Sequence, residues 1–439
     1  MQRRLTRAVL AAATIAAVAA ALLAGCGRGP SEGRRILLVG IDGAEWNVAR
    51  PLIDEGRLPN LERLMREGVY CGLRSLEPKE KSPVIWATIA TGKYPEKHGV
   101  GDYVDTETGR LLTSNMWRAR AFWDILGERG RKVCVVGWLV SWPATPVNGV
   151  MITDYFRYGP RPGRDPVEHT TYPEGLAGEM ASLRVLPDEI TDEEIADCVR
   201  LEMALTGEEA QRLPLEHMFQ EINAIDGLAK RVNDFKSLSA GDRTFLAAAL
   251  HCVETRDPQV LAVYLRGVDT ASHLFWGDAH PGEVGFRVSE TDRRVFGGAI
   301  EHYYERADAM LGRILDAFGD DAAVIVCSDH GFEGPRPGRQ PGGIRDHGPV
   351  GVLVMAGDGI RSDGEIGERR VEDIAPTILA LAGFPVAADM DGAVIDEALD
   401  EETLRSRPRQ PVATYETEEP PERGHAGKLK LEPVPASDG

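Results

Sequence analysis

The chain has 439 residues, a formal net charge of −19 and six cysteines. That length admits one large α/β domain carrying an insertion, or two domains. So acidic a balance excludes a general nucleic-acid binder, which needs a basic footprint, and the lack of any C-x-x-C pair excludes a zinc knuckle or thioredoxin-type motif.

Arg3, Arg4 and Arg7 precede an alanine- and leucine-rich stretch from Ala8 to Leu23, the layout of an export signal. It closes on Leu23-Ala24-Gly25-Cys26, which resembles a bacterial lipobox. That resemblance implies removal of residues 1–25 and a membrane attachment through lipidated Cys26. An ordinary cleaved signal or an uncleaved anchor is the alternative, and either one also places the rest of the chain outside the cytoplasm. Residues 26–35 are small and polar and read as a tether. No later stretch is long and apolar enough to span a bilayer.

Strand and helix signals then alternate. ILLVGID ends at Asp42, and LPNLERLMREG follows as a short amphipathic helix closing at Gly68. Ser82-Pro83 opens another helix, with Ser82 expected at the N-cap and Pro83 at the first helical position. KVCVVGW, from Lys132 to Trp138, is a further apolar strand. Across residues 158–257 strand signals vanish and charged helical segments take over, which predicts a helical insertion and a candidate lid. Its capping box at Thr191-Asp192-Glu193-Glu194 predicts a helix to Gly207, and a second helix is expected from Asp242 to Glu254.

The apolar pattern resumes with VLAVYLRGVD, read as a strand stopping at Asp269. A helix around Ile300 to Phe318 has apolar residues at spacings of three and four, and Gly319 closes it. AAVIVCSDH ends at Asp329 and His330, VGVLVMAG is one more strand, and VEDIAPTILALAGFP one more helix. Repeated βα units predict an α/β fold with a mainly parallel sheet sandwiched by helices, built from residues 36–157 and 258–400. Residues 401–439 are rich in proline and charge and read as a poorly ordered tail. Cys198 and Cys252 are candidates for a disulfide; Cys134 and Cys327 lie inside apolar runs and read as core.

Three apolar runs that stop at Asp42, Asp269 and Asp329 put carboxylates where α/β sheets bind ligands, beyond the carboxyl ends of strands. His273, four residues after Asp269, together with His330 and His347, supplies imidazoles. Taken singly, each group has a plain structural reading as a turn, cap or loop residue. Together they supply the carboxylate and imidazole donors of a catalytic zinc site, in a number that suits two adjacent ions. Ser82, at the start of a helix, stands in positive dipole suited to a phosphoryl oxygen. His98, Trp86 and His280 read as structural or incidental, and Asp346 as a partner of a ligand histidine.

With VGIDG at Val39, SPVIWATIATGKYPEKHGV at Ser82, the D-x-x-x-H of Asp269 and His273, SDHGF at Ser328 and DHGPVG at Asp346, the chain resembles the type I phosphodiesterase/nucleotide pyrophosphatase branch of the alkaline phosphatase superfamily. VEDIAPTILALAGFP followed by Met390-Asp391-Gly392 is similar to that family's C-terminal segment. The resemblance implies a metal-dependent hydrolase of phosphate esters, a phosphodiesterase or pyrophosphatase, with Ser82 as nucleophile and a covalent phosphoseryl intermediate. It implies two divalent ions, zinc with manganese as the alternative. One would be held by Asp269, His273 and His347, the other by Asp42, Asp329, His330 and the Ser82 oxygen. The chain departs from the family at Ile85, where nucleotide pyrophosphatases usually carry an asparagine three residues past the nucleophile. No Cys/Ser-x-Pro-x-Arg sulfatase signature and no G-x-x-x-x-G-K-[ST] phosphate loop is present. Two alternatives to the hydrolase are a phosphotransferase that moves a head group onto a glycan or lipid, and a non-catalytic surface binding lipoprotein.

Overall fold

The run RILLVGI forms β1 (Arg35–Ile41), whose side chains alternate between two cores. Leu37, Val39 and Ile41 enter one cluster, and Ile36 and Leu38 enter the other. That is the pattern of a strand covered on both faces. The computed structural model describes residues 33–102, 113–159, 167–333 and 346–417.

Within these residues the remaining strands are β2 (Val69–Arg74), β3 (Val133–Val136), β4 (Gly149–Ile152), β5 (Thr171–Tyr172), β6 (Val260–Leu265), β7 (Ala322–Cys327), β8 (Gly331–Glu333), β9 (Asp346–Gly348), β10 (Val350–Gly357), β11 (Gly364–Glu365) and β12 (Arg369–Arg370). The main sheet runs β11-β2-β10-β7-β1-β6-β3-β4-β5, with β12 also on β2. Its centre is parallel: β1 pairs with β6 and β7, and β3 with β4 and β6. β10 enters antiparallel between β2 and β7. A separate hairpin pairs β8 with β9. One core packs the helices Trp46–Asp54, Pro59–Glu67, Gly267–Ala279 and Ala299–Phe318 on the sheet; the other packs Ser82–Thr91, Phe122–Glu128 and Ile374–Leu381. The expected α/β sandwich is thus the observed one, with a mixed sheet that is mostly parallel.

Close approach at β1 depends on Gly40. A Cβ there would lie 2.5 Å from the Trp86 ring, so the Ser82–Thr91 helix settles onto the sheet only because that side chain is missing. Trp86 also meets Trp138 and Tyr264 edge-on, at ring separations of 5.2 and 5.1 Å. It packs, as its sequence context suggested.

Several local expectations need correction. Thr191 and Glu194 form the reciprocal capping bonds (2.8 and 3.2 Å), but the chain continues only as short 3-10 turns at Glu193–Ile195 and Leu201–Met203. Ile195, Cys198 and Val199 turn into the core, and Arg200 N–H donates to Val295 O at 3.0 Å, a bond that draws the backbone out of a helical path. The helix expected from Asp242 instead spans Leu215–Arg256. Its polar first half is tied down by Glu221, whose buried carboxylate accepts from Glu290 and Thr291 N–H (2.6 and 3.0 Å). Its second half packs Phe235, Leu238, Phe245 and Cys252 into the sheet's core. Within the stretch expected to be purely helical, β5 also adds a short antiparallel strand to β4.

The described part of the C-terminal stretch is ordered, contrary to expectation. Glu401–Ser406 is helical, and the backbones of Val412 and Ala388 pair at 2.8 Å. Buried Lys93 reaches Asp389 and Glu416 at 2.7 and 3.0 Å. Residues 418–439, like 1–32, lie outside the described residues. All five described cysteines are free, so the Cys198–Cys252 pairing is not formed; Cys252 instead hydrogen-bonds Cys134, which with burial pushes the Cys134 thiol up.

Candidate active site

Asp42 is the residue that follows β1, and its N–H continues the ladder to Leu265 O at 2.9 Å. Gly43 then turns at φ +69, a conformation that favours glycine; a Cβ there would press on Asp269 and Phe332 at 2.9 Å. Gly43 N–H donates to Asp329 Oδ1 at 3.3 Å, which ties the β1 turn to the β7 turn.

Asp269 does not end a strand. β6 stops at Leu265, and Asp269 sits in the first turn of the Gly267–Ala279 helix. The helix starts early because Asp242, from the long helix, accepts from Arg266 and Gly267 N–H at 3.1 and 3.0 Å, satisfying donors that a helix start leaves free. Tyr303 OH donates to the same carboxylate at 3.0 Å. Asp269 and His273 then share a helix face four residues apart, with His273 Nε2 3.1 Å from Asp269 Oδ1. His347 lies not in a loop but on β9, opposite Phe332 of β8. Asp346 belongs to the same strand; its side chain lies outside the described residues.

Ser82 is the first residue of its helix rather than the N-cap, which is Lys81. Its Oγ lies 3.5 Å from Asp42 Oδ1 and 3.3 Å from His330 Nε2. His330 Nε2 in turn stands 3.3 Å from Asp42, 3.6 Å from Asp329 and 3.7 Å from Asp269. The His330 and His347 rings stack at 3.5 Å, and His273 and His347 approach at 3.1 Å between Nε2 atoms. All seven residues singled out from the sequence converge at the carboxyl edge of β1, β6 and β7.

The cluster is electrostatically incomplete by itself. Asp42, Asp269 and Asp329 surround one imidazole; Asp329 Oδ2 is buried without a hydrogen-bond partner, and Asp269 Oδ1 has the close approach of His273 but no well-directed hydrogen bond. Burial of uncompensated carboxylates is costly, so the site fits cations. His330 Nδ1 faces the Gly331 carbonyl at 2.9 Å, which can only accept. The hydrogen is therefore on Nδ1, and Nε2 faces the carboxylates, as in a histidine ligand oriented by a backbone carbonyl. Two groups of donors lie close enough to share an ion: Asp42, Asp329 and His330, and Asp269, His330 and His347. His330 stands within reach of both, whereas the family resemblance assigned it to one; His273 borders the second group.

Titration follows from the same crowding. Burial pushes the Asp42 carboxyl up, but the hydrogen bond and charge of His330 outweigh it and hold it at about 2. Burial, followed by the Asp42 charge, drives Asp329 well above the carboxylate range. Burial lowers His330, but Asp329, Asp42 and Asp269 together lift it to about 10. His347 is pushed down to about 4 by burial and then by His330.

The chain's match to a family comes from residues 36–348, which fit the family model described as type I phosphodiesterase / nucleotide pyrophosphatase. The chain belongs to this family. Among curated relatives, a 2,3-bisphosphoglycerate-independent phosphoglycerate mutase of Prochlorococcus marinus (strain MIT 9313) is 30% identical over 124 residues, 26% of this chain and 23% of that one. The mutase of the same description from Vibrio vulnificus (strain YJ016) is 32% identical over 100 residues, 22% of this chain and 19% of that one. The chain spans less than a quarter of either relative's length. A solved 2-O GAG sulfatase superimposes with a TM-score of 0.51 at 12% identity, covering 87% of this chain and 76% of that one; this likeness concerns the fold. As a phosphodiesterase-family chain, this one departs from the usual pattern at Ile85, which is buried in the core and offers no polar atom to a phosphate oxygen.

Two site residues were invisible to sequence reading. Tyr264 of β6 donates its hydroxyl to Asp42 Oδ2, although within VLAVYL it read simply as apolar strand. Glu45, buried beyond the Asp42 turn, receives Phe332 N–H at 3.3 Å and holds the β8 hairpin. Neither carries a local pattern that marks it.

His98 is a packing residue, as its sequence context indicated. Val100 N–H donates to its Nδ1 at 3.1 Å, so the ring hydrogen is on Nε2, 3.0 Å from Thr88 Oγ1. Burial lowers its pKa from 6.5 to about 3. A depressed folded value means a contribution fully present above pH 6.5 and lost as pH falls toward about 3. We expect the His98 ring to remain neutral at about pH 5 and acidification from neutral to that pH to remove about 2 kcal/mol of stability. A ring titration by NMR and the pH-dependence of unfolding in wild type and His98→Asn check this; a ring that titrates near its ordinary value would contradict it.

Proposed function

We propose that the chain is an exported, lipid-anchored phosphoric ester hydrolase that acts on phosphodiesters through Ser82. The observation that carries this reading is the Ser82 hydroxyl, 3.5 Å from Asp42 and 3.3 Å from His330 and so set against a partly buried cluster of three carboxylates and three histidines. Asp42, Asp329, His330 and Ser82 would hold one divalent ion, and Asp269, His273 and His347 the other, with zinc the best match to this ligand mixture. Such ions supply stabilisation of the serine alkoxide and of the leaving oxygen.

Ser82 Oγ attacks phosphorus, the P–O bond to the leaving group breaks, and the leaving alcohol takes up a proton. Water then attacks the phosphoseryl ester, which frees Ser82 and releases the remaining phosphate ester. The helix that begins at Ser82 places its positive end at the phosphoryl group. Tyr264 keeps the Asp42 carboxylate oriented, and Asp242 keeps the helix of Asp269 and His273 in place. The segment from residue 158 to 257 shapes the pocket for the part of the substrate that does not react.

Attachment to the cell envelope rests on Arg3, Arg4, Arg7 and the Leu23-Ala24-Gly25-Cys26 motif. Among the described residues no helix is long and apolar enough to cross a membrane. Turnover by the zinc-loaded protein on matched mono- and diesters, with an alcohol acceptor added to separate transfer from hydrolysis, tests the reading. Hydrolysis of the diester is expected, and inactivity on both esters would overturn the assignment.

A further inference from the structure

Tyr264 and Asp42 stand on neighbouring strands in a register that brings their side chains to one face. β1 and β6 are parallel, with Gly40 opposite Tyr264 and Ile41 opposite Leu265. Asp42 follows Ile41, so it lies two positions past Gly40, diagonal to Tyr264 on the same side of the sheet. Gly40 has no side chain to block that diagonal. The Trp86 ring occupies the place, 2.5 Å from where a Gly40 Cβ would stand, and meets the buried Tyr264 ring edge-on at 5.1 Å. Trp86 belongs to the helix that Ser82 opens, one turn further on. The phenol is therefore held by the same element that positions the proposed nucleophile.

The two oxygens of the Asp42 carboxyl have different neighbours. Oδ2 accepts the Tyr264 hydroxyl. Oδ1 has Ser82 Oγ at 3.5 Å and His330 Nε2 at 3.3 Å, so it is the oxygen on the side of the nucleophile. Asp329 and His330 complete this group of donors able to share an ion. A buried hydroxyl needs an acceptor, and the fold gives Tyr264 one that is itself a proposed metal ligand.

We infer that Tyr264 is a positioning residue that confines Asp42 to binding its ion through one oxygen, and thereby sets the preference of the site for zinc over manganese. A carboxylate whose second oxygen is held by a hydroxyl cannot bind an ion through both oxygens without breaking that bond. Zinc, which takes few ligands, needs only the one oxygen. Manganese, which favours oxygen ligands in larger number, gains from the second. Hydrogen bonds to a ligand carboxylate also fix its orientation. The inference rests on the proposed metal centre at Ser82, and it is tested by metal binding rather than by turnover.

Tyr264→Phe removes one oxygen and leaves the ring against Trp86. Zinc and manganese are titrated in competition into metal-free wild type and variant. Each preference is taken within one protein, so a general loss of stability does not move it. The preference for zinc is expected to fall about tenfold or more in the variant, and an unchanged preference would overturn the inference. Cobalt-loaded wild type gives a second reading that needs no variant. The strong visible absorption of a low-coordinate ion is expected, and the weak absorption of an octahedral one would overturn the inference. Failure of the metal centre itself would show separately, as wild type that takes up neither zinc nor cobalt, and would take the inference with it.

Discussion

Replacing Ser82 with alanine is expected to abolish ester hydrolysis while leaving the fold and the metal content in place. The described contacts of the hydroxyl are to Asp42 and His330, at 3.5 and 3.3 Å. Its loss should therefore cost within about 1 kcal/mol of stability. Removing a nucleophile removes the covalent route altogether, an effect of about a thousand-fold or more on kcat. Turnover numbers, a thermal melt and metal analysis on both proteins check this. Near-wild-type turnover with full metal content would show that Ser82 is not the nucleophile.

Removal of divalent ions by a chelator should have an effect on rate of the same order, and a larger one on stability. Without cations, Asp42, Asp269 and Asp329 crowd around His330, with His273 beside Asp269 and the Tyr264 hydroxyl on Asp42, and the three carboxyl groups lift the histidine to about 10. Ion binding must displace its proton, so loading at neutral pH should release protons and weaken as pH falls. At free metal a thousand times the dissociation constant, the linkage contributes about 4 kcal/mol to folding. Calorimetric melts with and without zinc, and proton release in two buffers of different ionisation enthalpy, measure both. A protein whose activity and melting temperature are indifferent to chelation would contradict the metal-centre reading.

Much of the site was legible in the sequence because the sheet itself generates it. Short apolar runs that end in Asp42 and Asp329 are buried parallel strands, and such strands deliver their next residues to one edge. Asp269 reached the same edge by a different route. VLAVYLRGVD reads as one apolar run, but Asp242, 25 residues before Gly267, caps the backbone there and converts the end of the run into a helix. That is a long-range bond, and no local pattern reports it. The same holds for Lys93 with Glu416, 323 residues apart, which orders a stretch whose composition resembles a tail. The long helix was legible only in its amphipathic second half; the first half depends on Glu221 and on Arg231, which is bound at 2.6 Å to Asp292. Tyr264 shows a different limit. A tyrosine within a buried strand satisfies the apolar pattern whether or not its hydroxyl has a partner, so its bond to Asp42 emerges only from the fold.

The central claim is attack by Ser82 on phosphorus, and the stereochemical course of the reaction tests it most directly. A methyl aryl phosphorothioate of one configuration is hydrolysed in heavy-oxygen water, and the configuration of the product at phosphorus is determined. Two successive in-line displacements, first by Ser82 and then by water, predict overall retention. Inversion would mean that water attacks phosphorus directly, and would contradict the serine mechanism.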